Sequence, residues 1–144
     1  MDFHAATCPS FFSGGRPDLA RYIASGKRWQ IIGVWRPLKT VHKNPLALCD
    51  ARTVDEADFE KVERDFRGRP GAYSVLKPGD GNGSIHQWYY LPEQRPDEAW
   101  VLKHFDSLQE NGNARQCAHT SFEMPGTRHL PPRESIEFRA LVLY

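Results

Sequence analysis

The sequence predicts a mainly β domain, a jelly-roll type of barrel with one or two short helices, on three observations. Runs rich in aromatic and β-branched residues recur along the chain at strand length. Glycine and proline, 11 of each, punctuate it often enough to keep every element short. The last run alternates strictly, with Ile136, Phe138, Ala140 and Val142 on one side and Glu137, Arg139 and Leu141 on the other. Short antiparallel strands of this kind close into barrels and jelly rolls.

Taken in order, Pro17 and Asp18 open a helix over residues 16–24, with Leu19, Tyr22 and Ile23 at helical intervals before Gly26. "RWQIIGVWRP" is a strand closed by Pro37, and "PLALCDART" is the next. Thr53, Asp55 and Glu56 look like a helix start ahead of Ala57, Phe59 and Val62, so a short exposed helix ending near Arg64 is expected. "AYSVLK" and "HQWYYLP" flank the turn cluster "PGDGNGS" and are expected to form a hairpin. Pro96, Asp97 and Glu98 make a helical turn before the strand "AWVLKHFDS". "CAHTSF" and "SIEFRALVLY" complete the strands, and "IIGVW" and "IEFRALVLY" are expected to be buried.

A chain of 144 residues can bury enough surface to stand as one unit, so a single domain over residues 1–144 is expected. With 19 basic and 18 acidic residues intermixed, it has no broad field for a phosphate backbone or an anionic membrane. Neither nucleic acid nor membrane is an expected partner. Three cysteines without CxxC spacing (Cys8, Cys49 and Cys117) fit a reducing compartment better than a disulfide framework. The N-terminus lacks a basic segment followed by a long apolar one, and a soluble cytoplasmic protein is expected.

The residues that carry chemistry concentrate in the last third. His119 lies on a strand, and neutral imidazole is a common iron(II) ligand. Arg133, fourteen positions on, can pair bidentately with a carboxylate, and Ser135 can donate a second hydrogen bond to it. The bland alternatives are a structural histidine and a surface ion pair between Arg133 and Glu134 or Glu137, while Arg139 is a competing anchor on the same strand. Trp35, Arg36 and Pro37 serve equally as architecture or pocket wall, and opposite charges on Arg36 and Asp50 allow a salt bridge. Among Trp88, Tyr89 and Tyr90, alternation sends Tyr89 to the opposite face from its neighbours. His42, His86 and His129 fall in or beside loops and are expected to be solvated. No GxGxxG, Walker loop, nucleophile elbow or zinc spacing is present.

Three blocks together, "IIGVWRPLKTVHKNPLALCDART", "HQWYYLPEQRPDEAWVLKHFDS" and "CAHTSF" followed by "PPRESIEFRALVLY", resemble the fungal hydroxylase/desaturase family. That family includes the gibberellin desaturase-like, AsaB-like and cephem methoxylase-like proteins. The resemblance runs from about Lys27 to Tyr144 and implies a double-stranded β-helix, truncated here relative to the family to its C-terminal half. Such oxygenases hold iron with two histidines and one carboxylate, the first two ligands coming as His-x-Asp upstream of "VWRPL". The upstream histidine here is His4, and Ala6 stands in the carboxylate position. A His-x-Ala site with room for a halide, a ligand from Asp2, Asp50 or Asp106, and loss of the metal are the three explanations; His104, Asp106 and His119 form a substitute triad.

The resemblance thus implies a tailoring enzyme of fungal specialised metabolism acting on a hydrophobic polyketide, terpenoid or alkaloid intermediate. In the oxidative version His119 and His4 bind iron, and Arg133 and Ser135, with Arg139 as the competitor, hold the cosubstrate carboxylate. Catalytic roles fall to His119, Arg133 and Tyr90, and Trp35, Arg36 and Trp88 wall the substrate pocket. With Ala6 in the carboxylate position the expectation is no cofactor, Fe(II) and 2-oxoglutarate entering if the ancestral activity is retained. The alternatives are a metal-independent isomerase, dehydratase or cyclase, and a non-catalytic binding or auxiliary subunit. A homodimer is expected because a shortened barrel exposes sheet edges.

Overall fold

The computed structural model describes residues 16–65, 70–77, 86–110 and 112–144. His4, Ala6, Asp2 and Cys8, and the whole "PGDGNGS" cluster, lie outside them. Helix α1 (Pro17–Ala24) has its proline in the first turn, where no amide hydrogen is needed. Tyr22 and Ile23 carry α1 onto the start of strand β1 (Trp29–Pro37). No helix among the described residues is long and apolar enough to cross a membrane.

Three antiparallel sheets follow. Strand β1 is the centre of the first, between β6 (Trp100–Asp106) and β8 (Ser135–Leu143). The second places β2 (Leu46–Cys49) between β5 (Trp88–Tyr90) and β7 (His119–Ser121). The third is a hairpin of β3 (Phe59–Asp65) and β4 (Pro70–Leu76). Trp35 and Leu102 from the first sheet pack with Leu46 and Leu48 from the second, so the two sheets are joined by one apolar cluster. A second cluster stacks Trp29 on Phe105 at 4.5 Å beside Ile31 and Leu141.

Several sequence expectations are corrected. Thr53–Arg64 is not a helix: the start signal is real, with the Asp55 amide donating to Asp58, but it makes one 3-10 turn before β3 begins. Pairing with β4 supplies longer-range hydrogen bonds than a cap can offset. "AYSVLK" and "HQWYYLP" do not pair with each other, since β4 joins β3 and β5 joins β2. Arg36 donates to the Pro96 carbonyl and Asp50 pairs with Arg52, so the expected Arg36–Asp50 bridge is not made.

Burial of β8 is also corrected. Ile136 and Phe138 are 54% and 66% exposed. Register explains this. Ile136 and Phe138 stand opposite Arg36 and Val34 on the outer face of the first sheet, whereas Glu137 and Arg139 stand opposite Trp35 and Gly33 on the inner face. The second sheet packs on the inner face around Trp35 and Leu102, and residues 135–139 of β8 stay exposed on both faces.

Candidate functional site

Strand β7 is short, yet two backbone bonds fix its approach: the Cys117 amide donates to the Lys103 carbonyl and the Cys49 amide to the Ala118 carbonyl. His119 follows, opposite Leu48 in β2 and therefore on the side of the second sheet that meets the first. Its Nδ1 lies 2.9 Å from the Cys117 carbonyl oxygen. A carbonyl can only accept, so Nδ1 carries the hydrogen and Nε2 keeps a free lone pair.

Facing it is His104, with ring centroids 5.2 Å apart and planes at 82°. A bulge puts it there. Ile31 pairs with Phe105 and Ile32 with Lys103, which leaves His104 as the extra residue and lets it join Phe105 on the inner side. Gly33 provides the room: a Cβ at that position would lie 2.4 Å from His104 Nε2. The same nitrogen approaches Glu137 Oε1 at 2.9 Å, close enough to pair although off the N–H axis. Glu137 in turn pairs with Arg139.

Charges follow from this packing. Burial, then the positive Arg139 and the neighbouring His119 ring, push the His104 pKa down, with Glu137 opposing them. For Glu137, burial raises the pKa but is outweighed by the hydrogen bond and charge of Arg139, so it is held below the usual range. Neutral His104 beside ionised Glu137 is the resulting state at neutral pH.

Arg133 precedes β8 and lies over the Trp35 ring, its guanidinium carbon 5.4 Å from the centroid. Its Nη1 donates to the carbonyl of Asn44, a residue in the left-handed region at φ 51°, where asparagine is tolerated. Its buried Nε has no partner, and no acidic group pairs with it among the described residues; Glu134 is taken by Lys39. Burial alone pushes its pKa down. Trp35 is opposite Glu137 in the register, so Arg133, Trp35, Glu137, His104 and His119 form a connected run on the inner side.

Other expected site residues fall elsewhere. Trp88 and Tyr90 pair with Cys49 and Ala47, on the face of the second sheet opposite to His119, and Tyr90 meets Phe122 edge-on at 5.1 Å. Tyr89, opposite Leu48, shares the face of His119. Arg36 is on the outer face. Ser135 opens β8 opposite Pro37, in line with Glu137 and Arg139. Asp106 cannot join His104 and His119 as a substitute triad, because the bulge sends it to the opposite side, where Arg28, Gln30, Lys103 and Asn113 enclose it. Asp50 is held by Arg52. Sequence reasoning missed Gly33 and Glu137; a glycine amid strand formers was the available signal of close approach.

Among the described residues, no three His, Cys, Asp or Glu side chains are grouped to hold a metal ion. They fit part of an iron site: His119 offers a ligand nitrogen, and Arg133 fits a carboxylate.

The family described as "Oxidoreductase/YMDC permease-like domain" matches residues 6–143. Hydroxylase/desaturase asaB of Aspergillus flavus is 37% identical over 127 residues, covering 81% of this chain and 56% of that protein. The alpha-ketoglutarate-dependent dioxygenase phiK of a fungal species is 38% identical over 120 residues, 81% of this chain and 42% of that one. The GA4 desaturase of the gibberellin cluster in Gibberella fujikuroi is 34% identical over 122 residues, 83% and 36%. A solved structure of the iron and alpha-ketoglutarate-dependent endoperoxidase NvfI superposes with a TM-score of 0.74 at 31% identity, covering 94% of this chain and 47% of that chain. The chain thus spans about half, or less, of the length of these relatives.

Proposed function

Since the chain belongs to the fungal hydroxylase/desaturase family, we propose that it carries the cosubstrate-anchoring half of a double-stranded β-helix. Its task is the oxidative tailoring of a hydrophobic specialised metabolite. Arg133 is the observation that carries this reading. A part-buried guanidinium with no carboxylate partner among the described residues and an orphaned Nε is an unbalanced charge, costly unless an anion completes it. A keto acid supplies that anion, and a planar guanidinium over Trp35 is shaped to grip its carboxylate through two parallel hydrogen bonds. Ser135, two residues on, would add a third.

His119 is the residue that would hold iron, through Nε2. Bound iron would supply oxygen activation. The work of the chain itself is to hold the His119 ring by its Nδ1–H, to fix the keto acid through Arg133, and to keep Glu137 ionised beside His104. Cys49 and Cys117 are free thiols, which supports a reducing cytoplasmic setting.

N-oxalylglycine, a stable keto-acid mimic, tests the anchor by isothermal titration. Wild-type protein should bind it, and Arg133→Gln should weaken binding by at least ~10-fold, the loss of about 1.4 kcal/mol or more expected for a charge-assisted pair. Equal binding by both proteins refutes the assignment.

A further inference from the structure

Resting on the reading that this inner side is the reaction site, we propose that His104 and His119 together form a two-imidazole site for a divalent first-row transition ion. The Cys117 carbonyl holds the His119 ring, and the Glu137 carboxylate lies beside that of His104. His104 lies outside the His-x-carboxylate pattern that the family resemblance implies.

Each ring presents one nitrogen. His119 spends Nδ1–H on the Cys117 carbonyl, leaving Nε2. For His104, Nε2 lies 2.9 Å from the Glu137 carboxylate oxygen and carries the hydrogen, because two lone pairs would repel; Nδ1 is left. Neither His104 Nδ1 nor His119 Nε2 has a protein partner among the described residues. Metal-bound histidines nearly always donate their other N–H to a carboxylate or a backbone carbonyl, and here one ring faces each.

The spacing also fits. A metal–nitrogen bond of about 2.1 Å plus the ring radius sets each ring centre about 3.2 Å from the ion, so two ligands at a tetrahedral angle have centres about 5.2 Å apart. The observed separation is 5.2 Å. Two backbone features serve this placement: the bulge that turns His104 inward and the glycine that leaves space beside it. With no third protein donor grouped among the described residues, the remaining positions are open to water, a bidentate keto acid or donors outside those residues.

Zn2+ added to protein with 15N-labelled histidines is the direct test, read by long-range proton–nitrogen correlation. In the metal-free protein His104 should show the Nε2–H tautomer and His119 the Nδ1–H tautomer. One equivalent of Zn2+ should shift His104 Nδ1 and His119 Nε2 together. His104→Gln and Gly33→Ala should each weaken Zn2+ binding by at least ~10-fold, and Glu137→Gln by roughly 10–100-fold. A shift at His119 without one at His104, or at neither, overturns the proposal, and the measurement on unmutated protein stands even if a variant misfolds. Arg133→Gln separates the two readings: it should lose N-oxalylglycine and keep Zn2+. Zn2+ binding through both rings without any keto-acid binding would refute the oxygenase reading alone.

Discussion

Asp106→Asn is expected to cost stability and to leave the inner side intact. The side chain is fully buried and receives Arg28, Gln30, Lys103, Asn113 and the Leu108 amide. Asparagine keeps the volume but removes the charge and turns one acceptor oxygen into a donor among donors. Removing one partner from a buried ion pair costs about 3–5 kcal/mol. Arg28 and Lys103 keep 33% and 26% of their side-chain surface exposed, so water recovers part of this. A loss of about 2–4 kcal/mol remains, or a fall in Tm of roughly 6–12 °C at about 3 °C per kcal/mol for a chain of this size. Burial works against the Asp106 charge, but the hydrogen bonds from Arg28, Asn113, Gln30 and Lys103 outweigh it and hold its pKa far below the usual carboxylate range. Its unfolded pKa is about 3.9, so the stability it contributes is complete above about pH 5 and is lost as pH falls toward the folded value. Urea unfolding of both proteins from pH 8 to pH 3 should therefore show a constant gap that narrows below about pH 4. A gap under about 1 kcal/mol, or one that widens on acidification, refutes this account of the network.

Leu102→Ala, at a side chain 1% exposed between the two sheets, should cost about 2–5 kcal/mol in chemical denaturation. Ile136→Ala should cost less than about 1 kcal/mol, since its side chain faces solvent. The outer face of the first sheet exposes Val34, Val101, Ile136 and Phe138, so sedimentation should detect self-association that Phe138→Glu reduces; a monomer at every concentration counts against the dimer. His104 should titrate below 6.5 by NMR, because burial, Arg139 and His119 depress it. Its unfolded state then takes up protons first, so the contribution of neutral His104 to stability should fall as pH drops through about 6.5 toward the folded value.

Local signals in the sequence located most of the strands and failed wherever pairing over distance decided. Pro17 and Gly26 bracket α1 because proline and glycine act within one turn. The cap at Asp55 misled, since a local signal promised a helix and β4 offered β3 a complete set of pairs. Strand identity was legible for β8, from its alternation, but exposure was not. Alternation shows that two faces differ and leaves open which of them a second sheet will cover.

The site was hidden for a related reason. "HFD" in β6 suggests a histidine and an acid on one face at period two, and that inference assumes an unbroken pleat. One extra residue opposite Ile31 breaks it, turning His104 toward His119 and Asp106 toward Arg28. Gly33 was the visible trace of this event. Strands disfavour glycine, and one within a strand often marks a close approach; at Gly33 the neighbour that a Cβ would displace is the His104 imidazole. The bulge and the glycine therefore belong to one arrangement: the bulge delivers the imidazole and the glycine makes room for it.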